Sequence, residues 1–348
     1  MNENESISAS TRLKPGTVDP SAGRRVDTTD APASERLEPA SVDPRIERGR
    51  MVEVEGLPFV VDVCGDADAP RFAVCLHGFP EISYSWRHQL PLLADLGFEA
   101  WAPNQRGYGG SPRPLGLANY RMERLVEDVG GFIDAGARGR PVTLIGHDWG
   151  GAIAWMAALS NVRPLERLVI MNLPHPTLFA RAVRRPRQFL RSWYALFFHV
   201  PRLPELLLGA RGARAIGEAF RGMAVDKTRF PDEVLEVYRR HAREPGALTA
   251  MVNWYRATRL LGPVMKKLVD SPPGIDVPTL LLWGEQDAAL GVELLEGTGD
   301  YVKNLTLRRL PGVSHWVQQE APEAVNAMLA AWLRDEPVPE AQWGGRLR

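Results

Sequence analysis

Asp148 sits at the centre of the run Gly146-His147-Asp148-Trp149-Gly150-Gly151. A carboxylate there can attack an electrophilic carbon without help, because it is already ionised at neutral pH. The run lies between residues 142–145, Val-Thr-Leu-Ile, which read as a buried strand, and the Ala-rich residues 152–159, which read as a helix. A strand-turn-helix elbow needs small residues on both sides of its nucleophile. The nucleophile's backbone is strained there, and the helix must pack close to the strand. The helix N-terminus favours an ionised carboxylate and supplies an N–H for an oxyanion. The plainer alternative makes Asp148 a helix N-cap beside loop glycines; the strand before it and the helix after it favour the elbow.

An elbow nucleophile needs an acid and a histidine base further along the chain, in that order. The apolar residues 279–283 lead into Gly284-Glu285-Gln286-Asp287. Asp287 lies just past the strand end, where a loop carboxylate reaches a histidine, whereas the competing Glu285 lies nearer the strand. A further strand over 305–310 leads through Pro311-Gly312-Val313-Ser314 to His315. Seven histidines are present, and only His315 has this order and location. His77 and His147 flank glycines and read as loop-holding residues; His88, His175, His199 and His241 read as surface or lid residues. With an aspartate nucleophile, attack gives an ester on Asp148. His315 then deprotonates a water that attacks the ester carbonyl, and an oxyanion hole holds the charge.

That hole has a candidate in His77-Gly78-Phe79-Pro80, which follows the strand at 72–76. Gly78 lets the backbone turn, and Pro80 rigidifies it, with a cis bond expected. The backbone N–H groups of Phe79 and Trp149 are the expected oxyanion donors. Residues ~50–335 resemble the α/β-hydrolase fold, and within it the epoxide hydrolase branch. The resemblance rests on His77-Gly78-Phe79-Pro80, Gly146-His147-Asp148-Trp149-Gly150-Gly151, Trp283-Gly284-Glu285-Gln286-Asp287 and Gly312-Val313-Ser314-His315, in that order and spacing. It implies opening of epoxides to vicinal diols with no cofactor and no metal. It also implies two lid tyrosines that hydrogen-bond the epoxide oxygen. Ser192-Trp193-Tyr194 before Phe198-His199-Val200-Pro201, and Asn253-Trp254-Tyr255-Arg256, resemble the two tyrosine segments. Phenols with a pKa near ~10 stay protonated and can donate to a departing alkoxide. His199 departs from the pattern, since many relatives carry Gln there. Apolar neighbours Phe79, Trp149, Trp193, Phe198 and Met251 imply a substrate-lining surface for a hydrophobic molecule with little charge. The competing readings are a haloalkane dehalogenase using the same aspartate and a non-catalytic hydrolase-fold binding protein. Phe79 has no polar hydrogen to serve as a second halide donor, and no triad member is missing.

These residues need a frame. Short apolar runs at 72–76, 98–102, 142–145, 168–171, 279–283 and 305–310 alternate with helix-like stretches. That rhythm predicts an α/β fold, a mostly parallel sheet flanked by helices. Val52, Val54, Phe59, Val61 and Val63 add two strands around a Gly56 turn. The strand rhythm breaks over 173–266, read as an inserted helical lid between core segments 49–172 and 267–340. Residues 1–48, rich in Ser, Thr, Pro, Asp and Arg, read as disordered. Within them Arg12-Leu13-Lys14-Pro15 and Val18-Asp19-Pro20 recur as Arg36-Leu37-Glu38-Pro39 and Val42-Asp43-Pro44.

The 42 basic and 42 acidic residues cancel over the 348-residue chain, which gives no global reason to seek nucleic acid or an acidic membrane. Five arginines within eleven residues (Arg181, Arg184, Arg185, Arg187, Arg191) could touch acidic lipid or nucleic acid, and the plainer reading is a solvated lid helix. Cys64 and Cys75 read as buried thiols, with no disulfide or metal-ligand spacing. No run approaches the ~20 apolar residues of a membrane span, and the start lacks a secretory pattern. The expected setting is cytoplasmic and the expected partners are a small hydrophobic epoxide and water. A homodimer stays open.

Overall fold

The computed structural model describes residues 42–183, 186–191, 193–260, 263–272 and 274–347. Eight strands form one sheet: β1 (Glu47–Val54), β2 (Leu57–Cys64), β3 (Arg71–Leu76), β4 (Phe98–Pro103), β5 (Val142–His147), β6 (Arg167–Met171), β7 (Thr279–Gly284) and β8 (Leu305–Leu310). Their order across the sheet is β1-β2-β4-β3-β5-β6-β7-β8. The β1–β2 and β2–β4 pairs are antiparallel, and every pair from β4 to β8 is parallel. Glu55 and Gly56 both have positive φ, as a two-residue hairpin loop of matching twist requires.

Burial on both faces explains why the central strands read as unbroken apolar runs. In β3, Phe72, Val74 and Leu76 face one hydrophobic core while Ala73 and Cys75 face a second. In β6, Leu168 and Ile170 face the first and Val169 and Met171 the second. The helices are α1 (Gln89–Asp95), α2 (Met122–Ala137), α3 (Trp149–Leu159), α4 (Pro176–Ala182), α5 (Pro186–Arg191), α6 (Trp193–Phe197), α7 (Leu203–Met223), α8 (Asp232–Ala242), α9 (Ala247–Ala257), α10 (Pro263–Asp270), α11 (Val317–Glu320) and α12 (Pro322–Leu333). α2 and α3 supply Val129, Phe132, Trp155 and Met156 to the first core. α1 and α12 supply Leu90, Leu93, Val325 and Met328 to the second. Between β6 and β7 the described elements are all helical.

The expected boundaries shift at three places. Ile46 is already buried and β1 begins at Glu47, so ordered structure starts ahead of residue 49. The helical excursion runs through α10 to Asp270, past residue 266. Residues beyond 340 still pack on the core, where the Gly344 N–H donates to the Pro311 carbonyl at 2.9 Å. The repeat in residues 12–44 lies almost wholly outside the described residues. Cys64 and Cys75 are free buried thiols. Among the described residues no helix is long and apolar enough to cross a membrane.

Candidate active site

The loops after β3, β5, β6, β7 and β8 all leave the carboxyl edge of the parallel sheet, the edge where open α/β sheets carry their sites. Asp148 lies on the turn between β5 and α3 with φ 49° and ψ −122°. A non-glycine residue rarely adopts such a backbone unless its surroundings impose it. Close packing imposes it here. A Cβ on Gly150 would fall 2.1 Å from the Leu76 carbonyl oxygen, so no larger residue lets α3 approach β3. A Cβ on Gly78 would fall 2.5 Å from the Asp148 Cβ, so the loop after β3 closes on the nucleophile only because position 78 is bare.

The Asp148 carboxylate has a partner on each oxygen. The Phe79 N–H donates to Oδ1 at 2.8 Å, and His315 Nε2 lies 3.6 Å from Oδ2. Burial alone would raise this carboxyl's pKa. The hydrogen bond and charge of His315, then His147 and the Phe79 N–H, outweigh burial and hold it below the ordinary range. Trp149 opens α3, so its N–H belongs to the first turn, which has no intrahelical acceptor. The Phe79–Pro80 bond is cis, as the sequence suggested.

His315 bridges two carboxylates. Its Nδ1 lies 2.7 Å from Asp287 Oδ2. Asp287 Oδ1 accepts from the N–H groups of Ala289 and Leu290 at 2.8 and 2.9 Å. Burial would push the His315 pKa down, but Asp287 and Asp148 together raise it to about 10. The resting ring therefore holds its proton between the two acids. Of the two loop carboxylates, Asp287 is the one in contact with His315, while Glu285 lies 3.9 Å from Arg309.

Two groups in this floor were not expected from the sequence. Asn172, directly after β6 at φ 42°, donates from Nδ2 to Asp287 Oδ2 at 2.8 Å and accepts the Gly284 N–H at 2.8 Å. It fixes both the acid and the strand end that carries it. Glu81, wholly buried, accepts from the Gly78 N–H at 2.9 Å and lies 2.8 Å from His147 Nδ1. Its other oxygen accepts from Gln318 and Gln319 at 2.9 and 2.7 Å. His147 Nε2 donates to the His315 carbonyl at 2.8 Å. One carboxylate thus ties together the loop after β3, the elbow and the loop of the base. His77 behaves as expected: Nδ1 donates to the Gly78 carbonyl at 2.9 Å, and Nε2 accepts the Gln105 N–H at 3.1 Å.

Above Asp148 the helical excursion contributes aromatic groups. Phe198 and Tyr255 form a cluster with Val252, against which Phe79, Trp149 and Tyr194 pack. The rings of Tyr194 and Tyr255 are 6.1 Å apart, and Tyr255 lies 5.0 Å from Trp149 and 5.2 Å from Phe79. Burial raises the Tyr194 hydroxyl pKa, and the charges of Asp148 and Asp287 raise it further. Burial likewise raises Tyr255, with Tyr194, Asp148 and Tyr108 adding to it and the Trp149 hydrogen bond opposing. Burial and the nearby Asp148 charge together hold both phenols protonated.

Trp193 does not join them. It is 62% exposed, because Tyr194 and Phe198, one helical turn apart, take the inner face of α6 and leave Trp193 on the outer face. Met251 is buried in the main core rather than in the aromatic cluster. Ser192 lies outside the described residues. Among the described residues no group of three or more His, Cys, Asp and Glu is arranged to hold a metal ion.

Many known proteins resemble this chain in sequence and fold. Residues 74–216 match the alpha/beta hydrolase fold family. An AB hydrolase superfamily protein of Bacillus subtilis is 35% identical over 288 residues, 82% of this chain and 98% of that protein. Epoxide hydrolase 4 of Mus musculus is 36% identical over 291 residues, 82% of this chain and 79% of that protein. Among solved structures, an epoxide hydrolase of Bacillus megaterium in complex with an inhibitor superposes with a TM-score of 0.73 at 27% identity, covering 82% of this chain and all (100%) of that one.

Proposed function

This chain belongs to the epoxide hydrolase branch of the α/β-hydrolase family, and on that premise we propose that it opens an epoxide to a vicinal diol through an ester on Asp148. The observation that carries the reading is the pair of phenols. Tyr194 and Tyr255 pack together in the aromatic cluster on Phe79 and Trp149, near enough to Asp148 for its charge to raise both hydroxyl pKa values, while on the sheet side His315 lies against Asp148 and Asp287 against His315.

An Asp148 oxygen attacks one epoxide carbon and the carbon–oxygen bond breaks. The departing alkoxide takes a hydrogen bond, then a proton, from Tyr194 or Tyr255. Neither phenol ionises on its own, so each remains a donor until the alkoxide forms. Esterification removes the Asp148 charge, one of the two charges that hold the proton on His315. The His315 pKa falls, its proton passes by way of water to the phenolate that the alkoxide left behind, and the neutral ring is then a base when water must be activated. Hydroxide adds to the Asp148 carbonyl carbon, and the N–H groups of Phe79 and Trp149 receive the oxyanion. Collapse releases the diol and restores the carboxylate, with the proton back on His315. The aromatic cluster suits a hydrophobic epoxide with little charge.

A single turnover in isotopically heavy water with enzyme in excess tests the route. The first diol should carry ordinary oxygen from Asp148, and the peptide holding Asp148 should gain the label. Heavy oxygen in that first diol would mean direct attack by water and end the ester reading. Halide release from a haloalkane with no diol from any epoxide would instead favour a dehalogenase.

A further inference from the structure

We propose that the outer face of the cap, formed by α6 and the start of α7, docks on an anionic lipid surface. Trp193, Leu196, Val200, Leu203, Leu206 and Leu207 are each between 41% and 68% exposed, although they fall within fifteen consecutive positions. Isolated exposed leucines are ordinary, but a contiguous set marks a surface that meets another apolar phase. In α7, Leu203, Leu206 and Leu207 stand at i, i+3 and i+4, the spacing that normally faces a core. Here that stripe faces outward, while Leu208 packs inward against the aromatic cluster.

Charge selects lipid over a second apolar protein face. The chain is neutral overall, yet residues 176–215 contain eight arginines and a single carboxylate, Glu205. Glu205 is turned inward: Arg256 donates to its Oε1 and Oε2 at 2.6 and 3.0 Å. Arg181, Arg202 and Arg211 are exposed. Exposed tryptophan and leucine in an arginine-rich stretch whose one acid is neutralised have the composition of a segment that lies in a lipid interface. The same face adjoins the site. α6 and the residue that follows it present Tyr194 and Phe198 inward and Trp193 and Leu196 outward. Arg256, beside Tyr255, also donates to the Phe198 and Val200 carbonyls at 2.9 Å each, which holds the patch to the helix of the second phenol. An apolar epoxide dissolved in a bilayer would pass from lipid to Asp148 along the two sides of one short helix. That cargo rests on the epoxide reading; the docking does not.

The test is flotation of the full chain with vesicles of equal parts phosphatidylcholine and phosphatidylglycerol, beside vesicles of phosphatidylcholine alone. Binding should require the anionic lipid and weaken in high salt. The double variant Leu206→Glu with Leu207→Glu should lose about 100-fold in vesicle partitioning. Its thermal midpoint and its turnover of a small water-soluble epoxide should stay at the wild-type level, while turnover of a long-chain epoxide supplied in anionic vesicles falls. Three results would overturn the proposal: wild type left in solution, the double variant floating as well as wild type, or a wild-type dimer that ignores vesicles and that the same substitutions dissociate. Flotation needs no substrate, so failure of docking and failure of the epoxide reading are separate outcomes.

Discussion

The sheet side and the cap side of the Asp148 site are built from different physics. On the sheet side every polar group is held by short directional bonds: Asp287 by Ala289, Leu290 and Asn172, His315 by Asp287, and Asp148 by Phe79. On the cap side Tyr194 and Tyr255 are held by aromatic packing against Phe198, Phe79 and Trp149. Hydrogen bonds from strand ends fix orientation to tenths of an ångström; ring packing fixes proximity, with the Trp149 hydrogen bond to Tyr255 as a polar supplement. The floor is thus suited to one invariant piece of chemistry, and the ceiling to adapting it to a substrate.

The largest expected effect is on the floor. Asp148→Ala should lower kcat by about 10⁴-fold or more, because without the carboxylate no ester forms. A labelled ester on any other residue, or kcat within tenfold of wild type, would break the assignment. His315→Gln should separate the two steps. Ester hydrolysis should slow by roughly 10³-fold while ester formation changes far less, so one equivalent of alkylated enzyme accumulates. Quench-flow with mass analysis reads this directly, and equal loss in both steps would count against a base that acts only on water.

The ceiling should respond more mildly. Tyr255→Phe removes one of two donors to the alkoxide and should slow ester formation by about 10- to 100-fold, the effect of one charge-assisted hydrogen bond. Ester hydrolysis should be nearly unchanged; a matching loss in hydrolysis would place Tyr255 in the floor's chemistry instead. Asn172→Ala returns to the floor, at a position that touches no reacting atom. It frees one Asp287 oxygen and the Gly284 N–H, so kcat should fall roughly tenfold and stability by about 1–3 kcal/mol. Asn172→Asp would put a second carboxylate against Asp287 and should be worse than Ala; a better Asp variant would argue that geometry alone matters there.

The smallest effect is on stability against pH. The folded His315 holds its proton to about pH 10, against 6.5 for a free imidazole. The folded state binds the extra proton, so this contribution is full below pH 6.5 and is lost as pH rises toward 10. The thermal midpoint of wild type should therefore decline over that window more steeply than that of His315→Gln. Parallel curves would mean that the Asp287–His315–Asp148 chain is not charged as described.

Much of this site was legible along the chain. Five of the six parallel strands, β3 to β7, fall on apolar runs because both faces of each are buried, which forces a continuous signal, whereas the edge strand β8 is mostly half-buried. Asp148 and His315 were legible because each follows a strand through a glycine-containing turn. Asn172 and Glu81 were not. Asn172 meets Asp287 across 115 positions, and Glu81 meets His147 across 66, so no local pattern announces either bond. That Trp193 faces out while Tyr194 faces in was not legible, since a helix of five residues carries too little periodicity to say which aromatic faces in.

The sequence by itself determined the sheet, the elbow and the chain order of Asp148, Asp287 and His315 at its carboxyl edge, because strand burial and glycine-bracketed turns are local constraints written in neighbouring residues. Tertiary structure alone decided which phenols look at Asp148, which carboxylate locks three loops together, and that the leucine stripe of α7 faces outward. Those outcomes depend on how distant segments pack against one another, and packing is a property of surfaces brought together by the fold rather than of neighbours along the chain.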